Sequence, residues 1–298
     1  MTPRPGPGLP AGADADPLRA VLDVLELTRV DDDTYVGASL PQPGGRVFGG
    51  QVLAQSLLAA ARTVATDRLP HSVHGYFLRP GDVDQPITFT VERLRDGRSF
   101  SARRTHALQG GEPILVMTTS FQADQPGLDH SRPPPSTTPP EQVRSALDVL
   151  GAVEHPLAKF WTQTNAFDLR HVEESIYLSP AATATDRQRV WMQARGPVPG
   201  AQVLHRALLA YACDQVMLEP LLRRHALHWA TPELSVASLD HAMWFHRPVR
   251  VDQWLLYVQD APSAQGGRGL STARVYARDG TLVASVAQEG MIRVPEGT

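Results

Sequence analysis

The chain has 298 residues, 42% hydrophobic and 20% charged, enough for two compact domains or one large one with a sizeable core. Its net charge of -3 lacks the basic excess of a nucleic-acid-binding surface, and no apolar run approaches the roughly 18 residues of a membrane span. The lone Cys213 excludes an intramolecular disulfide and a Cys-rich metal site. With no apolar signal-peptide core and no peroxisomal tripeptide, the expectation is a cytoplasmic protein without a metal or other cofactor.

Residues 1–16 are rich in Pro, Gly and Ala and predict a disordered tail. Asp16-Pro17 then reads as an N-cap followed by proline at the first helical position, with Leu18, Val21, Leu22 and Leu25 forming an amphipathic helix that Asp31-Asp32-Asp33 closes. A strand is predicted over 35–40. Arg46-Val47-Phe48-Gly49-Gly50-Gln51 runs into a strongly apolar helix over 52–61. Two glycines at a helix start allow either tight backbone packing or close approach of a group to the free N–H donors. Strands follow over 72–78, 87–94, 99–108 and 114–121, separated by turn signals. One apolar helix followed by a run of strands, with no βαβ alternation, is an α+β plan.

Residues 124–140 hold six prolines and predict an extended linker, with a short helix over 141–150. Strands are expected over 167–177 and 189–193. Residues 205–218, free of Gly and Pro, predict a second helix. Ala207, Ala210, Tyr211, Asp214, Met217 and Leu218 share one stripe of it, so Asp214 is a carboxylate among apolar neighbours. Such a residue either ties a neighbouring backbone group or carries chemistry. Further strands are predicted over 236–245, 254–258, 270–276 and 282–292.

The two halves repeat. Phe77-Leu78-Arg79-Pro80 matches Phe245-His246-Arg247-Pro248, and the Arg, Ser and Arg of 98–104 recur in 268–274. This implies duplication of a helix-plus-sheet unit, with domains at 17–123 and 151–298 joined by a Pro-rich linker at 124–150.

Several motifs are specific enough to carry a family resemblance. Val47-Phe48-Gly49-Gly50-Gln51, Tyr76-Phe77-Leu78-Arg79-Pro80-Gly81-Asp82, Tyr211-Ala212-Cys213-Asp214, Ser238-Leu239-Asp240-His241-Ala242-Met243-Trp244-Phe245-His246-Arg247-Pro248 and Gln288-Glu289-Gly290 resemble the acyl-CoA thioesterase II family, in order and over most of the chain. The resemblance implies a double hotdog: two sheets, each wrapped round a long helix. It implies hydrolysis of acyl-CoA to a fatty acid and coenzyme A, a homo-oligomer, and a catalytic set of Asp214, Ser238 and Gln288. Ser238 stands where many members have Thr, so the hydroxyl is kept and a methyl is lost.

A thioester has a good leaving group, so water is the partner that needs activation. Asp214 can take its proton, while Ser238 and Gln288 offer donors and acceptors that orient it. By itself Gln288 reads as a core polar group satisfied by backbone. Cys213 lies about 100° round the helix from Asp214 and reads as packing. Asp240 and His241, adjacent on a strand, face opposite sides. By analogy with two-chain hotdogs, Gly49, Gly50 and Gln51 would face Asp214, with the Gly50 or Gln51 N–H as oxyanion donor. The first helix carries Arg62 or Thr63 at the place equivalent to Asp214, so one active site per chain is expected. Rival readings are an acyl-CoA hydratase, whose Asp-and-His motif is not found here, and a non-catalytic acyl-CoA-binding protein.

Overall fold

A computed structural model describes residues 16–294. The predicted tail, up to residue 15, lies outside the described residues. Helix α1 (Pro17–Leu25) starts where Asp16 accepts hydrogen bonds from the Leu18 and Arg19 N–H groups at 3.0 and 3.2 Å. Its stripe of Leu18, Val21 and Leu25 is buried. Asp31-Asp32-Asp33 does not close this helix. It turns the hairpin between β1 (Thr28–Arg29) and β2 (Thr34–Gly37), where Asp31 accepts from the Asp33 N–H.

Helix α2 (Gly49–Ala61) is buried on nearly every side, as its mostly apolar composition requires, with Gln51, Gln55 and Ser56 enclosed among the apolar side chains. It lies across β2, β3 (Arg68–Phe77), β4 (Ile87–Asp96), β5 (Phe100–Gln109) and β6 (Glu112–Ala123). Residues 124–139 run without regular structure over the outer face of the second half. Arg189 and Trp191 hold them there through hydrogen bonds to the Ser136 and Thr138 carbonyls, both at 2.8 Å. Helix α3 (Ala146–Gly151) starts later than predicted because Ser145 caps it, accepting from the Leu147 N–H. Helix α4 (Pro156–Thr164), which the apolar pattern did not announce, starts at a proline behind the His155 side-chain cap.

The second half repeats the first: β7 (Phe167–His171), β8 (Arg187–Ala194), α5 (Gln202–Cys213), α6 (Glu219–Arg224), β9 (Ser235–Ser238), β10 (Asp240–Phe245), β11 (Leu255–Gln265), β12 (Arg268–Ala277) and β13 (Leu282–Arg293). The resemblance implied two sheets. Here all strands form one 13-stranded antiparallel sheet, because β3 of the first half pairs with β10 of the second, from Asp240↔Tyr76 to Trp244↔Ser72. Both helices share one core that includes Leu53, Leu57, Leu208, Leu209, Met243 and Tyr257.

The predicted 205–218 helix is also corrected. It ends at Cys213, and the chain tightens into turns in which the Gln215 and Val216 N–H groups reach back three residues. Gly290 and Gly269 are register partners on β13 and β12, and a Cβ on either would collide with Leu218 or Leu221. The absence of those Cβ atoms lets Leu218 and Leu221, at the start of α6, pack directly against the sheet. Among the described residues no helix is long and apolar enough to cross a membrane.

Candidate active site

Asp214 is the C-cap of α5 and is half-buried, not enclosed in the apolar stripe that the sequence suggested. Its Oδ1 accepts from Ser238 Oγ at 2.9 Å and from Gln288 Nε2 at 2.8 Å. Gln288 Nε2 also donates to Ser238 Oγ at 2.8 Å, which closes a triangle. Sheet register makes this possible. Ser238 pairs with Gly290 across β9 and β13, and Gln288 follows two residues away on the same inward face.

Beneath the triangle lies His241, placed by alternation on the inward face of β10 with Met243 and Phe245. Its Nδ1 is 2.6 Å from Gln288 Oε1. Burial pushes its pKa down, against the upward pull of Asp214 and of the Gln288 bond. Sequence reasoning placed His241 opposite Asp240 but did not find this contact. A polar residue recurring at period two on an apolar strand face was the available signal. Asp240 turns outward and meets His74 Nε2 at 3.0 Å.

The other carboxylate oxygen, Asp214 Oδ2, takes no hydrogen bond from the described residues and faces the start of α2. A Cβ on Gly49 would sit 2.7 Å from it. One residue on, a Cβ on Gly50 would collide with the Tyr211 carbonyl, so the start of α2 touches the end of α5 backbone to backbone. The Gly49 and Gly50 N–H groups bond to no acceptor among the described residues. Gln51 differs: its N–H is engaged by the Phe48 carbonyl at 3.1 Å, and its side chain ties Leu40 and Ala38. Of the two donors expected from sequence, Gly50 is free and Gln51 is spent.

Cys213 is fully buried, and burial pushes its thiol well above the ordinary range. Arg62 is the C-cap of α2 as Asp214 is of α5. Its guanidinium is tied to the Leu27 carbonyl and Glu26. Neighbouring Thr63 accepts from buried Arg103 at 2.8 Å.

A cavity of about 550 Å³ opens beside Asp214 and Gln215. Its walls are apolar and include Phe48, Leu150, Val153, Trp161, Tyr177 and Trp229, so α3 and α4 close it from one side. Its size falls within the roughly 300–1,000 Å³ of small-molecule sites. Among the described residues no cluster of His, Cys, Asp and Glu is arranged to hold a metal ion.

Comparison with known proteins agrees along the chain. Residues 38–122 match the acyl-CoA thioesterase N-terminal domain, and residues 166–291 match the acyl-CoA thioesterase family. The chain is 37% identical to human acyl-coenzyme A thioesterase 8 over 97% of its length and 95% of that protein. It is 40% identical to the crystal structure of an acyl-CoA thioesterase II from Mycobacterium marinum, with a TM-score of 0.78 over 93% of this chain and all of that one. A hot dog protein from Alicyclobacillus acidocaldarius, 20% identical, shares the fold at a TM-score of 0.76. The two joined helix-and-sheet units are thus a double hotdog, and the molecule is an acyl-CoA thioester hydrolase. The chain belongs to the acyl-CoA thioesterase II family.

Proposed function

We propose that Asp214, Ser238 and Gln288 form the hydrolytic centre for acyl-CoA, at one site per chain, with the acyl chain in the cavity beside Asp214. The observation that carries the reading is the asymmetry of the Asp214 carboxylate: Oδ1 accepts from two side chains while Oδ2 stays open. Held at Oδ1, the carboxylate directs Oδ2 at a water and takes its proton as the water oxygen attacks the acyl carbonyl carbon. The C–S bond then breaks, and the departing thiolate collects the proton from Asp214. The products are a carboxylic acid and coenzyme A thiol.

Gln288 also donates to Ser238 Oγ, which draws electron density from that oxygen and suits it to orienting water rather than attacking. Charge developing on the carbonyl oxygen falls to the free Gly50 N–H at the start of α2, where the helix dipole favours an anion. The mirror-related position lacks a carboxylate, since Arg62 stands there, and this supports a single centre. The chain is expected to associate as a homo-oligomer of double hotdogs, as the family resemblance suggests. A structure with a non-hydrolysable acyl-CoA analogue tests the reading. The carbonyl oxygen should lie within about 3.2 Å of the Gly50 nitrogen, with the acyl chain in the cavity; two equally occupied acyl pockets per chain would reject the single centre.

A further inference from the structure

One wall of the cavity rests on a buried charge that hydrolysis does not use. Glu219, the first residue of α6, has no exposed surface. Its Oε2 accepts from Gln188 Nε2 and lies against His171 Nε2, both at 2.8 Å, and its Oε1 accepts from the Trp229 indole N–H at 3.1 Å. Burial pushes this carboxyl up, but His171, Gln188 and Trp229 outweigh burial and hold it below its ordinary value. The His171 ring stands edge-on to Tyr177 at 5.4 Å. Trp229 and Tyr177 both line the cavity. One buried carboxylate therefore braces two aromatic side chains of the cavity, Trp229 directly and Tyr177 through His171. An apolar residue at 219 would fill space but fix neither ring.

The rim of the same cavity is unusually apolar for a surface. Leu157, Leu178 and Trp229 leave 52%, 45% and 37% of their areas exposed around it. Apolar side chains gathered at the mouth of a cavity mark a surface that a ligand covers. An acyl chain long enough to reach from Asp214 to these side chains would cover them, and a short one would not.

We infer that Trp229 and Tyr177, braced through Glu219 and His171, form the wall that grips the distal methylenes of a long acyl chain and so select long-chain thioesters over short ones. This rests on the reading that the acyl chain occupies the cavity beside Asp214. The test is kcat/KM on butyryl-, octanoyl- and palmitoyl-CoA, below micelle formation, for the wild type and the variants Trp229→Ala, Trp229→Phe, Glu219→Leu and Asp214→Asn. The wild type should favour palmitoyl-CoA. Trp229→Ala should lower the palmitoyl-to-butyryl ratio about tenfold or more. Trp229→Phe and Glu219→Leu, which both remove the indole hydrogen bond, should shift the ratio the same way by less. If Glu219→Leu does not fold, Trp229→Phe breaks the same bond at a partly exposed residue. A wild type with no preference for palmitoyl-CoA overturns the inference. So does an equal loss on all three substrates, which would put the rim on the coenzyme A side, or an unchanged ratio. A folded Asp214→Asn enzyme with full activity would instead reject the catalytic reading underneath.

Discussion

His241 Nδ1 lies 2.6 Å from Gln288 Oε1, and both side chains are fully buried. An amide oxygen only accepts, so the imidazole carries a proton on Nδ1 and donates it. That bond decides which end of Gln288 faces Asp214. The amide nitrogen is left pointing at the carboxylate and at Ser238. In the proposed centre His241 is thus a positioning residue. His241→Leu should lower kcat about ten- to hundredfold with little change in KM. His241→Asn, whose side-chain N–H can stand near the place of Nδ1–H, should recover most of the loss. Equal kcat for the wild type and a folded Leu variant would remove His241 from the mechanism.

Asp214→Asn keeps the volume and an acceptor for Ser238 and Gln288 but loses the proposed base. Turnover should fall by about 10²–10⁴, with the melting temperature nearly preserved. Thiol release in the steady state, alongside a melting curve, checks both halves of this expectation.

Ser238→Ala and Gln288→Ala should each reduce kcat more than KM. Gln288→Ala carries a second cost, because it strips the buried His241 N–H of its acceptor. Leaving that donor unpaired destabilises by about 1–3 kcal/mol, so Tm should drop for this variant and not for the half-exposed Ser238→Ala. Ser238→Thr keeps the hydroxyl and should remain active. An inactive, folded Thr variant would mean that the space around Ser238, rather than its hydroxyl, is what matters.

The two glycines at the start of α2 should respond differently. A methyl on Gly49 meets Asp214 Oδ2 at 2.7 Å and the Phe77 ring at 3.0 Å, so Gly49→Ala should fold and lose turnover. A methyl on Gly50 meets the Tyr211 backbone, which cannot rotate away. Gly50→Ala should push α2 off α5 and cost about 1–3 kcal/mol of stability. Denaturant midpoints and kcat for the pair separate the two effects; matching losses in both would contradict the geometry.

Burial holds the pKa of His241 below its ordinary 6.5, and it does the same at His71, His205 and His246. Below about pH 6.5 the unfolded chain therefore binds more protons than the folded one. Stability from this source is intact above that pH and is lost as pH falls toward the folded-state values. Tm should decline between pH 7 and pH 5, and His241→Asn, which removes one of the four groups, should decline less. Identical slopes would show that His241 does not contribute.

Local pattern was enough for much of this protein. Asp16-Pro17 marked the first helix, the strongly apolar run after Gly49-Gly50 marked an enclosed helix, and the repeated Arg-Pro and Arg-Ser-Arg signatures marked the duplication. These features depend on neighbours within a few residues, so periodicity and capping report them directly. The motifs carrying the family resemblance also named Asp214, Ser238 and Gln288.

Other features depend on residues far apart in the chain, and only the tertiary structure decided them. Helix α5 stops at Cys213, and Gly269 and Gly290, more than fifty positions later, leave room for Leu218 and Leu221 on the sheet. Alternation could say that His241 and Gln288 both face inward, but it could not say that they meet. Burial demands a partner for each polar group without naming it, and strand register chose His241 for Gln288. The single continuous sheet likewise rests on the pairing of β3 with β10. Helix α4 and the cavity wall on Glu219 come from segments whose composition is ordinary. Their roles follow from what they pack against, and a linear sequence does not display that.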